Sequence, residues 1–144
     1  MNLFGFKNPF YDFLLEKSSI NKISFVPENL WTGDLENGRK IINGFLSFDN
    51  ESIVFDLETW KKNKASTGWN EKLHSFEWID DIKALRTNRA RIFLRNNLKQ
   101  WLLFHSNWDP SKWKISILSK TICNLLSNAS FFYETADDEF QKKF

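Results

Sequence analysis

Apolar and polar positions follow two different rhythms along the chain. Between Gly38 and Leu57 the run GRKIINGFLSFDNESIVFDL reads as extended chain. Within it FLSF and SIVF flank Asp49-Asn50, a pattern that predicts a β-hairpin with a tight turn. Residues 22–27, KISFVP, read as a further extended segment. From about Leu73 the period becomes helical. Trp78, Ile79, Ile82 and Leu85 fall on one side of a helix, and Glu77, Asp80 and Asp81 on the other.

A second helix begins near Thr87, a good N-cap, and runs to about Ser106 with Leu94, Leu98, Trp101 and Leu102 as its buried stripe. Residues Asn107 to Pro110 stop it, because Pro110 disfavours helical backbone at Asp109. The third helix is expected over Lys112 to Tyr133, with Leu118, Ile122, Leu125, Leu126, Ala129 and Phe132 as one apolar face. Thr135 or Asp137 then caps a short fourth helix. The pattern predicts a mainly α chain: a lead-in of short strands and loops over residues 1–65, then antiparallel helical hairpins over 66–144. Four of the five glycines and two of the three prolines fall in the lead-in, which fits that division.

Composition narrows the function classes. The chain has 144 residues, enough for one domain with a real core. Its 17% aromatic content exceeds what a small core needs, and aromatics stack on ligands or fill interfaces. A formal charge of +2 argues against a nucleic-acid partner held by phosphate neutralisation. With Cys123 as the single cysteine, neither an intramolecular disulfide nor a cysteine-based zinc cluster can form. No apolar run approaches the roughly 20 residues of a membrane span, and the opening MNLFGFKNPFYDFLLEKSS does not read as a secretory signal. The expectation leans to the cytoplasm, with the periplasm open.

Several residues are candidates for chemistry. Glu77 and Asp81, one helical turn apart, could act as paired carboxylates, but a solvated face near a helix start is the plainer reading. His74 could contact a substrate or be a packed or capping histidine; His105 shares a face with Leu94 and Leu98 and reads as a core histidine. Neither has the neighbours a metal site requires, so no metal or other cofactor is expected. Arg91, Arg95 and Lys99 form a basic stripe that could engage a polyanion or simply face solvent. On the third helix, Lys120, Asn124, Ser127 and Asn128 make a polar face with little charge. Amide and hydroxyl groups of that kind suit a cleft that reads sugar hydroxyls, or a helix–helix contact.

The ordered motifs LWTGD, GRKIINGFLSF, WNEKLHSFEWIDDIKAL, WLLFHSNWDPSKW and ILSKTICNLLSNASFFYETADDEF resemble the N-terminal part of heparinase II/III-family proteins over roughly Phe25 to Phe144. The resemblance implies an incomplete (α/α) toroid that precedes a β-sandwich, with an acidic polysaccharide in the cleft between them. It also implies cleavage of uronate chains by β-elimination. ILSKTICNLL is similar to the family's inner-helix pattern, which makes Asn124 the catalytic candidate. Thr121 stands where that pattern has Arg, and Leu125 where it has Trp. Asn124, Asn128, Lys120, Trp69 and His74 are the substrate-binding candidates. The remaining catalytic groups have no counterpart here, so this chain is expected to be inactive alone. A second polypeptide is expected to supply the rest of the toroid and the sandwich. The alternative is a carbohydrate-binding or partner-docking helical module. Under the fragment reading Phe131, Phe140, Phe144 and parts of Phe132 and Tyr133 should form an uncovered edge that self-associates, whereas a covered edge would favour the self-contained module.

Overall fold

The computed structural model describes residues 26, 29–105 and 114–144. The extended segment expected over 22–27, the turn at 107–110 and the expected start of the third helix lie outside the described residues. The fold is mainly α. Its elements are α1 (Leu35–Ile42), the strands β1 (Phe45–Phe48) and β2 (Glu51–Val54), a 3-10 helix (Leu57–Trp60), then α2 (Thr67–Ser75) and α3 (Ile79–Ala84). They are followed by α4 (Asn88–His105), α5 (Ile115–Ser127), α6 (Ala129–Phe132) and α7 (Asp138–Lys143).

The hairpin forms as the alternation predicts. β1 and β2 pair antiparallel from Phe45↔Val54 to Phe48↔Glu51, which leaves Asp49-Asn50 as the turn. Asp49 takes φ 53°, a conformation that Asp tolerates better than most residues. Polar side chains help tie the hairpin to α2. Lys72 Nζ meets Asp49 Oδ1 at 2.6 Å, and Ser66 donates from its hydroxyl to Glu51 Oε2 at 2.5 Å.

α1 is where the extended reading fails. Asp34 accepts hydrogen bonds from the amides of Glu36 and Asn37, at 2.8 and 3.1 Å, and so caps a helix that Ile41-Ile42 made look like a strand. That cap and the packing below outweigh β-branched propensity. α1 lies main chain against main chain on α3. A Cβ on Gly33 would overlap the Asp80 carbonyl, and one on Gly38 the Asp81 carbonyl. Asp81 fixes the joint, since its Oδ1 accepts from Asp34 N at 2.7 Å and its Oδ2 from Asn37 Nδ2 at 2.5 Å. Asp80 Oδ1 accepts from Asn29 Nδ2 at 2.6 Å and Asn128 Nδ2 at 2.9 Å. The two aspartates therefore join the lead-in to the helices: of the solvated face expected of Glu77 and Asp81, Glu77 is exposed while Asp81 is half-buried at the joint.

α2 starts at Thr67, six residues ahead of Leu73, because Ser66 Oγ caps it by accepting from Trp69 N at 3.2 Å. It ends at Phe76, whose φ of 59° is left-handed despite its bulk. Around that turn gathers an aromatic core. Trp60 stacks on Phe76 with centroids 5.7 Å apart, while Phe55 meets Trp78 edge-on at 5.4 Å and Trp101 meets Phe76 at 5.2 Å. Such tilted and edge-to-face pairs add to the burial of large rings.

α4 matches expectation, with Thr87 Oγ1 accepting from Ala90 N at 3.1 Å and Leu94 and Leu98 buried. α5 does not. The single helix expected to Tyr133 breaks at Asn128, and its inner face is Ile117, Thr121 and Leu125, with Ile122 and Leu126 exposed. A helix that is apolar on several sides has no unique stripe, so other partners decide its rotation. At the C-terminal edge Asp137 caps α7 through Phe140 N at 2.8 Å. Phe131 and Phe140 are buried and Phe144 is half-buried, its ring 5.1 Å from that of Phe132. The uncovered edge expected there is instead part of the core.

Two glycine substitutions test the packing. Gly38→Ala should cost about 2–4 kcal/mol, since main chain must move to admit the methyl group. Gly68→Ala, in α2, meets nothing within 4 Å and should stabilise by about 0.5–1 kcal/mol. Urea unfolding midpoints of the two variants should move in opposite directions.

Candidate functional site

An α-helix leaves its last four carbonyls without intrahelical donors. At the end of α2, which is largely buried, each of the four finds a side chain. Lys72 O accepts from Ser75 Oγ at 2.9 Å and Leu73 O from the Trp78 indole N–H at 3.0 Å. His74 O accepts from Thr121 Oγ1 at 2.7 Å and Ser75 O from Asn124 Nδ2 at 2.8 Å. The polar side of α5 is thus turned onto the end of α2, which sets the rotation of the helix. Of the two roles considered for that face, a helix–helix contact is what the geometry displays.

The candidate residues distribute around this junction. Asn128 is fully buried, donating to Asp80 Oδ1 and to Asn124 O and accepting from Asn29 Nδ2. Lys120 lies on the surface with Nζ 2.6 Å from Glu77 Oε1. Trp69 is apart from the others, buried against the hairpin with its ring 5.2 Å from that of Phe48. His74 is buried, and its Nδ1 accepts from the Trp101 indole N–H at 3.2 Å, so that nitrogen carries no proton.

His74 also meets His105 edge-on, with ring centroids 4.7 Å apart. His105 Nε2 lies 2.7 Å from Trp60 O and must donate there, since a carbonyl only accepts. The two imidazoles border a cleft of about 380 Å3 together with Trp60, Asn63, Asn70 and Glu71. Asn63 and Asn70 exchange hydrogen bonds of 2.8 and 3.1 Å. The sequence reading missed both, because paired amides in a loop and a first helical turn have no periodic signature; Ser66 as an N-cap was the available clue. Among the described residues no group of three His, Cys, Asp or Glu side chains could hold a metal ion.

The two arginines of the basic stripe turn inward, while Lys99 stays exposed. Arg91 Nε donates to Phe131 O at 2.8 Å, Arg95 Nε to Phe132 O at 2.7 Å, and Arg95 Nη2 to Thr135 Oγ1 at 2.7 Å. Lys99 sits 5.9 Å from the centre of the Phe140 ring. Burial lowers the Arg95 pKa from its usual value, the Arg91 charge lowers it further, and Asp137 partly offsets both. The guanidinium stays charged throughout the accessible pH range, and its role here is to clamp the C-terminal segment.

No family model matches the chain, and no solved structure matches it. The chain is similar to FtsZ-localized protein C of Caulobacter vibrioides (strain NA1000 / CB15N), at 25% identity over 107 residues. That stretch is 73% of this chain and 18% of the relative, so the chain spans less than a fifth of the protein it matches.

The helix-end arrangement gives Asn124 a measurable duty. Asn124→Ala should lower stability by about 1–3 kcal/mol, because Ser75 O loses its donor. Lys120→Ala removes only an exposed ion pair and should change stability by less than about 0.5 kcal/mol. Urea unfolding curves for the two variants check this, and equal midpoints would remove the capping role from Asn124.

Proposed function

We propose that this chain is a helical docking module, the opening segment of a larger heparinase II/III-like protein of the polysaccharide-lyase type. On this reading it contributes binding surface and leaves catalysis to other parts. One observation carries the reading. The polar candidates Asn124 and Asn128, with Thr121 between α5 and α2, are spent on internal hydrogen bonds, whereas Leu30, Trp31 and Ile115 stand 81%, 82% and 87% exposed. β-Elimination from a uronate needs a base, an acid and a group that neutralises the carboxylate, all converging on an open site. An amide that donates into a buried helix end is not available to a substrate. Large exposed apolar side chains, in contrast, suit association with another surface.

The match to a small part of a much longer protein supports the module reading. The rest of an (α/α) toroid and a β-sandwich would come from further polypeptide, and an acidic polysaccharide would be the ligand of the assembled cleft. The relative's description as FtsZ-localized favours a second reading, docking onto an assembly that contains FtsZ. Co-sedimentation of the chain with FtsZ polymers tests that reading by itself.

Incubation of the purified chain with heparan sulfate, alginate or similar uronate polymers should yield no ultraviolet absorbance from an unsaturated uronate product. Absorbance that grows in proportion to the protein added would overturn the assignment of binding without catalysis.

A further inference from the structure

α5 has a second apolar face, opposite the one that caps α2. Ile115, Ser119, Ile122 and Leu126 recur along it at spacings of four, three and four residues. Ile115 is 87% exposed, Ile122 48% and Leu126 39%. That spacing places all four residues on one side of the helix, and nothing among the described residues lies over it. Lys120 is the only charged residue of α5. It is drawn aside to Glu77, and Lys114 just before the helix is drawn to Glu71, each at 2.6 Å.

We propose that this face is the contact between two copies of the chain, with the two α5 helices packed antiparallel about a two-fold axis at their midpoint. The proposal rests on the docking reading and names its partner. The four-three-four spacing is symmetric about the point between Lys120 and Thr121. Antiparallel pairing therefore sets Ile115 opposite Leu126 of the partner subunit and Ser119 opposite Ile122 of the partner subunit. A small side chain faces a large one at the centre, where the helix axes must approach, and two large ones meet at each end. The patch is in this sense self-complementary, as a two-fold contact requires.

Electrostatics favours the same occupant. Two copies of a surface bring identical charges together, so a charged seam would repel itself. This seam is neutral, and the lysines beside it are balanced by glutamates of their own chain. Three aliphatic side chains offer on the order of a few hundred Å2 per copy, below the standard size of a stable interface. The dimer is accordingly weak and forms with rising concentration.

Sedimentation equilibrium and light scattering across a concentration series test the proposal. The wild-type mass should climb from one chain toward two and stop there. Ile122→Asp and Ser119→Arg both change exposed positions, and each should weaken dimerisation roughly tenfold or more with unchanged helical circular dichroism. Ser119→Arg removes no apolar contact from the seam, so its effect cannot come from lost core packing. Cys123, the single and exposed cysteine, flanks the seam, and a short bis-maleimide should join wild-type chains into covalent dimers but join the variants poorly. A wild-type mass that stays at one chain throughout would overturn the proposal and leave the face to helices of a different polypeptide. Variants that dimerise as the wild type does would overturn it too, as would growth beyond two chains. Lyase activity would sink the docking reading without altering any of these masses, so the two failures are distinguishable.

Discussion

The fold is organised around a helix end that is buried and must be satisfied. Unpaired carbonyls at the end of α2 would each cost free energy comparable to a lost hydrogen bond. Their donors come from three places: Ser75 on the same turn, Trp78 just beyond it, and Thr121 and Asn124 on α5. Much else follows from these bonds. Phe76 must enter the left-handed region so that the chain doubles back and brings the Trp78 indole over Leu73 O. α5 must present its polar side inward, which turns Ile122 and Leu126 out to solvent. Asn128, at the end of α5, is thereby delivered to Asp80, where the lead-in also attaches through Asn29.

Where local chemistry decided the structure, the sequence was readable. Thr87 capped α4 where its type and position suggested, and Asp49-Asn50 turned the hairpin because alternating strands flank it. α1 was misread because Ile41-Ile42 carried strand propensity while Asp34, its cap, drew attention only as part of LWTGD. The rotation of α5 was misread because its apolar residues occupy most of its circumference, and a backbone carbonyl waiting for a donor leaves no mark in the sequence. For the same reason Asn124 could be picked out as an unusual uncharged polar residue while its role stayed hidden. The toroid itself belongs to the proposal, since these helices alone do not define one.

A functional reading based on residue types alone would have overvalued the polar candidates. Asparagine, serine and lysine on one helix face resemble a sugar-reading cleft until their acceptors are known. Once the acceptors of Asn124, Asn128 and Lys120 prove to be main-chain carbonyls and carboxylates of the same chain, large exposed apolar side chains stand out instead. Among the described residues they lie at the Leu30-Trp31 segment, along the outer side of α5, and at Phe45, Val54 and Leu103. Recognition by such surfaces depends on shape and rigidity more than on polar chemistry.

The contact of α1 with α3 has a mechanical meaning. Most helices touch through a layer of side chains, whose rotamers can shift and absorb small displacements. At Gly33 and Gly38 that layer is missing and backbone bears directly on backbone, pinned on either side by the carboxylates of Asp80 and Asp81. Such a joint has little slack. A push on the exposed Leu30-Trp31 segment is therefore passed to α3, and from there to the aromatic core and α5, as to one stiff body.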